Sequence, residues 1–198
     1  MKTFEQYLVE KNATYSFGCV MLDIDPENNL YSQLTVPFIR ILQQQIPDEE
    51  LYNDPTNPDR FGKEQDLHTT VLYGLHPEVT EEDVKNYTKN WKPVNLMLTG
   101  ISIFENGHKG YDVVKLDVES SDLNKYNEDM KKLPFTSDYP DYKPHITLAY
   151  VLPGNGKKYE LKFDQPLKLE GIADITYSYA DKTKEKSKIK LAFRANLQ

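Results

Sequence analysis

Two phrases of one pattern, His68-Thr-Thr-Val-Leu-Tyr73 and His145-Ile-Thr-Leu-Ala-Tyr150, limit what this chain can fold into. Each has threonine two places after histidine, then apolar residues, then tyrosine at the fifth place. Each also follows a segment of helical spacing and a polar loop. Such repetition predicts two equivalent halves packed with their repeat strands side by side. The resulting architecture is α+β and bilobal: two pseudo-symmetric lobes of antiparallel sheet and helix, with a central cleft carrying both His-x-Thr strands.

The rest of the chain fits that plan. Tyr15 to Ile24 reads as a strand, ended by the turn residues Asp25-Pro26-Glu27-Asn28. Val36, Ile39, Leu42 and Ile46 recur at helical spacing, predicting a helix from Thr35 to Ile46 with Pro37 in its first turn. A polar loop from Pro47 to Asp66 leads into a strand from Leu67 to Leu75. Thr80-Glu-Glu-Asp is a capping box that opens a second helix, closed by Trp91. Strands follow at 94–104 and 111–118, joined by a hairpin loop. A third helix spans Ser121 to Leu133, and a loop from Pro134 to Pro144 precedes the strand His145 to Leu152. Strands at 167–179 and 188–193 complete the sheets. We expect one domain over 1–198, with lobes of about 15–90 and 91–152 and C-terminal strands within 165–195.

On a strand, residues two apart share a face, so His68 projects with Thr70 and His145 with Thr147. On neighbouring strands, two imidazoles and two hydroxyls then converge. That set is well suited to phosphodiester chemistry. One histidine takes a proton from the attacking hydroxyl, the other gives one to the leaving oxygen, and the threonines donate to the non-bridging oxygens. Histidine suits the task because its pKa lies near neutrality. Parity turns Tyr73 and Tyr150 away from the histidines into the core, unless a bulge intervenes. His76 and His108 sit in turn-like settings (GLHPE, NGHKG) and are expected at the surface. No carboxylate or cysteine stands at ligand spacing from His68 or His145, so no metal site and no cofactor is expected.

A net charge of −7 argues against coating long nucleic acids, where lysine and arginine must neutralise phosphates. The charge is uneven. Ten acids stand from Asp23 to Asp66 against Arg40, Arg60 and Lys63, whereas from Asp181 to the end five lysines and Arg194 stand against Asp181 and Glu185. No stretch approaches the roughly 20 apolar residues of a membrane span. The N-terminus lacks the apolar run of a signal peptide. The lone Cys19 lies in an apolar run and reads as a reduced core residue, which suits a cytoplasmic location.

These residues together resemble the 2H phosphoesterase superfamily, also called LigT-like or 2′-5′ RNA ligase-like, whose mark is a pair of His-x-Thr/Ser motifs. Here they stand as LHTTVLYGL and PHITLAYV. The phrases YSFGCVMLDI, ISIFEN, YDVVKLDV and DYPDYKPHITLAYV resemble its bacteriophage branch; they stop at about Leu152. The resemblance implies a metal-independent phosphodiesterase acting on small nucleotides, either cyclic oligonucleotide second messengers or 2′-5′- or 3′-5′-linked oligonucleotides, with His68, Thr70, His145 and Thr147 catalytic. Phage members include anti-CBASS enzymes, which degrade the cyclic oligonucleotide messengers of bacterial defence; such a protein would act in the host cytoplasm. RNA end processing on 2′,3′-cyclic phosphates and a non-catalytic nucleotide-binding module are the alternatives. A ribose hydroxyl or water could be the nucleophile. Tyr15 and Phe17, entering the first strand, are candidates for base stacking. Tyr142 and Lys143, just before the second motif, are candidates for substrate binding. The expected partner is a small nucleotide or short oligonucleotide, not long nucleic acid or membrane. The sequence leaves the oligomeric state open.

Overall fold

The computed structural model describes residues 17–24, 30–56, 61–106, 109–137, 141–181 and 183–191. Within these the order is β1 (Gly18–Asp23), α1 (Leu30–Gln44), β2 (His68–Leu75), α2 (Glu81–Thr88), β3 (Val94–Asn106), β4 (Tyr111–Glu119), α3 (Ser121–Met130), β5 (His145–Val151), β6 (Leu161–Ile172), β7 (Asp174–Ser178) and β8 (Ser187–Lys190). The fold is α+β, and every strand pairing described is antiparallel. Tyr15 and His108 lie outside the described residues.

The strand order is β6-β3-β4-β5-β2-β1-β7-β8. The two histidine strands are neighbours at the centre, but their ladder holds a single partner pair, Thr69 with Ile146. Away from it, each strand's edge is taken by the loop that leads into the other. Leu51 and Lys63 bridge Val151 and Ala149 of β5, and Phe135 bridges Leu75 of β2. The sheet is therefore two four-stranded halves joined at one point.

The expected strand 167–179 is in fact two. Only Ala173 separates β6 from β7, yet they pair on opposite sides of the order, β6 with β3 and β7 with β1. In a flat sheet, six spacings would hold them about 29 Å apart, whereas two peptide units reach about 7.6 Å. The sheet therefore curls until its two halves meet at Ala173, where the carbonyl also accepts from the Leu191 amide at 2.8 Å.

α1 begins earlier than the apolar spacing indicates, so Pro37 lies within the helix rather than in its first turn. Val36 and Ile39 are buried there, and Ile46, expected as the helix end, is buried just past it. α2 has its capping box as expected: Thr80 accepts from the Asp83 amide, and Asp83 accepts from the Thr80 amide. Val20, Leu22, Leu72, Val114, Leu116 and Ile146 form one buried face of the central strands. Each contributes roughly 1.5–3 kcal/mol of burial. The other face is left for polar groups.

Gly74 marks where β2 meets the loop ahead of β5. Its φ is +103°, and a Cβ there would stand 1.9 Å from the Thr136 carbonyl oxygen. Gly74→Ala is expected to destabilise the protein by about 2–4 kcal/mol through backbone strain and overlap, read as a lower denaturant midpoint.

Candidate active site

Antiparallel register places the chemistry. Continuing from Thr69 opposite Ile146 by one residue each way sets His68 across from Thr147 and Thr70 across from His145. The two histidines are then diagonal neighbours across the two strands, about 7–8 Å apart from backbone to backbone. On the outer sides, β1 puts Asp23 opposite His68 and Met21 opposite Thr70. β4 puts Asp117 opposite His145 and Lys115 opposite Thr147. Two cross-strand rows result: Lys115, Thr147, His68, Asp23, and beside it Asp117, His145, Thr70, Met21.

Both motifs carry a bulge at the same place. Val20 pairs with Leu72 but Met21 with Thr70, leaving Val71 extra. Val114 pairs with Ala149 but Lys115 with Thr147, leaving Leu148 extra. Each bulged carbonyl is caught by a helix side-chain amide: Asn127 of α3 donates to Val71 at 2.7 Å, and Gln43 of α1 to Leu148 at 2.8 Å. The extra residue reverses the parity beyond it. Tyr73 and Tyr150 thus return to the histidine face, against the parity reading that put them in the core. Tyr73 is 51% exposed, with Phe17 edge-on at 6.1 Å. Tyr150 joins Phe61 and Tyr111 at 5.2 and 5.5 Å.

The histidines are oriented alike. Nδ1 of His68 lies 2.6 Å from the Asp66 carbonyl, and Nδ1 of His145 lies 2.8 Å from the Lys143 carbonyl. A carbonyl only accepts, so each Nδ1 carries the hydrogen. In the neutral ring, Nε2 is left bare to accept a proton. Arg40 of α1 fixes the first approach by donating to the Glu64 and Gln65 carbonyls.

The flanks repeat the symmetry except at Lys115 and at the Phe104 beside it. Asp117 accepts from Ser102 and Lys115, and Asp23 accepts from Thr176 and Lys188. Ser102 and Thr176 occupy equivalent places on β3 and β7. Lys115, however, is buried, its side chain 5% exposed, while the equivalent position holds Met21 and Lys188 reaches Asp23 from the surface at 71%. Phe104 fills the gap beside Lys115: the ammonium sits 4.4 Å over its ring, and its ring meets that of His145 at 4.9 Å. His145 is held below the ordinary histidine value, chiefly by burial; Lys115 and His68 add to this, while the Lys143 carbonyl and Asp117 oppose it.

His68, Thr70, His145 and Thr147 thus come together on one face. Tyr142 is half-buried, and its hydroxyl donates to the Thr70 carbonyl at 2.7 Å, so it braces the first motif. Lys143 is exposed and serves His145 through its carbonyl. Cys19 is half-buried across from Tyr73 rather than in the core. His76 is partly covered, with Nε2 2.8 Å from the Thr136 hydroxyl. Lys115, Asp117, Phe104 and Asp23 do not stand out in the sequence. Their signal is alternation: in Tyr111-Asp-Val-Val-Lys-Leu-Asp-Val, Lys115 and Asp117 share one face of a strand whose other face is apolar. Among the described residues, no three His, Cys, Asp or Glu side chains converge as a metal would need.

The fold has known counterparts. TT0787 of Thermus thermophilus superposes with a TM-score of 0.51 at 16% identity, over 89% of this chain and 95% of that one. LigT of E. coli complexed with 3′-AMP gives 0.48 at 15% identity, over 87% and 94%. Usb1 of Kluyveromyces marxianus gives 0.48 at 11%, over 90% and 98%. No curated protein sequence matches the chain. The family model described as anti-CBASS protein Acb1 matches residues 57–190, spanning both motifs and running past Leu152 into β8. Because that match covers well over half of the sequence, the chain belongs to the anti-CBASS protein Acb1 family.

Proposed function

We propose that the protein is a metal-independent phosphodiesterase that cleaves cyclic oligonucleotide messengers, in which His145 is the proton acceptor and His68 the proton donor. The observation that carries this reading is the mirrored pair of imidazoles, each with its Nδ1–H donated to a backbone carbonyl. Membership of the anti-CBASS family supports the substrate class.

A phosphodiester seated between the diagonal histidines meets all four groups. Nε2 of His145 takes the proton of the attacking hydroxyl, from water or the adjacent ribose, as its oxygen bonds to phosphorus. Nε2–H of His68 gives its proton to the departing oxygen as the P–O bond breaks. Thr70 and Thr147 donate to the non-bridging oxygens, where charge accumulates. His145 suits the acceptor role because burial and Lys115 favour its neutral form. Tyr73 offers an exposed face for a base, worth roughly 1–3 kcal/mol by stacking.

The test is incubation with EDTA and a panel of cyclic and linear oligonucleotides, with products identified by mass. Cyclic substrates should be opened at an undiminished rate. Loss of turnover with EDTA and its return with a divalent ion, or cleavage confined to RNA ends, would overturn the reading. The same assay gives a pH prediction. The acceptor must start unprotonated, and His145 lies below the usual value near 6.5. Activity should therefore hold below pH 6.5 and fall only as His145 gains its proton.

A further inference from the structure

We propose that Lys115 is a positioning residue for the reaction, its buried ammonium adding to burial in favouring the neutral His145 that a proton acceptor needs. The inference rests on the proposed function and adds to it a residue that breaks the symmetry of the site.

About the Thr69–Ile146 pair, nearly every group has a partner of like chemistry: His68 and His145, Thr70 and Thr147, Asp23 and Asp117, Thr176 and Ser102. The exceptions are Lys115, whose counterpart is Met21, and the Phe104 it rests on, whose counterpart is Ser178. In a fully symmetric site the substrate alone would decide which histidine accepts the proton; a charged residue found on one side only can decide it in advance.

The geometry fixes the ammonium in place. Nζ donates to the Ser102 hydroxyl at 2.6 Å and to Asp117, and it rests on the face of Phe104, whose ring in turn packs against His145. Held this way, with its side chain 5% exposed, it is poorly screened by water, and a fixed positive charge beside an imidazole disfavours the imidazolium. The charged and titratable groups bearing on His145 are Lys115 and Asp117 from β4 and His68 from β2; β3 contributes the uncharged Phe104 and Ser102. Asp117 opposes Lys115, but it is 40% exposed and so the better screened of the two.

The opposing charges give a test by sign. The His145 ring signal is followed by NMR against pH in wild-type protein and in Lys115→Met, Lys115→Arg and Asp117→Asn, each confirmed as folded by its thermal transition. Lys115→Met, which makes the position match Met21, should raise the His145 titration. Asp117→Asn should lower it, and Lys115→Arg should keep it near wild type. A merely structural lysine would not produce opposite shifts. If Lys115→Met misfolds, the contrast between Asp117→Asn and Lys115→Arg carries the test. An unmoved His145 titration in folded Lys115→Met, or shifts of the same sign in Lys115→Met and Asp117→Asn, overturns the proposal. The acid limb of activity is read in parallel. If it stays fixed while the NMR titration moves, Lys115 still tunes His145, and it is the acceptor role of His145 that falls.

Discussion

His68→Ala and His145→Ala are each expected to lower turnover by about 10²–10⁴-fold on a cyclic oligonucleotide, the range for losing one positioned acid or base. Substrate binding should change far less, because both imidazoles lie among polar groups that remain. The two losses should not multiply. One ring must begin bare at Nε2 and the other protonated, so removing either stops the proton relay, and the double variant should be scarcely slower than the singles. The diagonal placement explains why neither covers for the other: His68 stands opposite Thr147 and His145 opposite Thr70, each on its own side of the seated phosphate. Folding should survive, since both rings are only partly buried and the strand contacts come from Thr69 and Ile146 on the other face. Near-normal turnover in either folded single variant would remove the paired-histidine mechanism.

Much of this site can be read from the sequence, and the remainder cannot for definite reasons. His68, Thr70, His145 and Thr147 follow from a strand period of two, which needs no partner strand. Tyr73 and Tyr150 escape it because a bulge is a property of a pair of strands. Val71 and Leu148 become extra residues only against Val20–Met21 and Val114–Lys115, and the amides that hold their carbonyls come from Asn127 and Gln43, distant in the chain. The split of 167–179 into β6 and β7 is hidden likewise. Ala173 is unremarkable between Ile172 and Asp174, and only the pairing of Ile172 with Val94 and Asp174 with Asp23 reveals the crossing. Lys115 looks like any alternating polar residue of a hairpin strand. Its burial depends on Phe104 and Ser102 of the neighbouring strand closing over it.

Thr70→Ala and Thr147→Ala should each cost about 10²–10³ in turnover, the loss when one donor to a developing oxyanion is removed. Here, unlike for the histidines, the effects should multiply. The hydroxyls stand on different strands and are diagonal to each other, as the imidazoles are, so each donates to its own non-bridging oxygen. Contributions that share no partner add in free energy. The double variant should therefore fall by about 10⁴–10⁶, well beyond either single. Thr→Ser keeps the donor and should stay within about tenfold at either place. The sites differ in what else they hold. The Thr70 carbonyl accepts from Tyr142, a backbone contact that alanine preserves, whereas Thr147 is 9% exposed and faces Lys115 across the ladder. Removing its methyl opens space beside the ammonium, so Thr147→Ala is expected to lose more stability than Thr70→Ala. Single-turnover rates on folded single and double variants decide the matter: a double variant no slower than the singles would mean that the two hydroxyls serve one oxygen, and wild-type rates in both singles would leave them with packing alone.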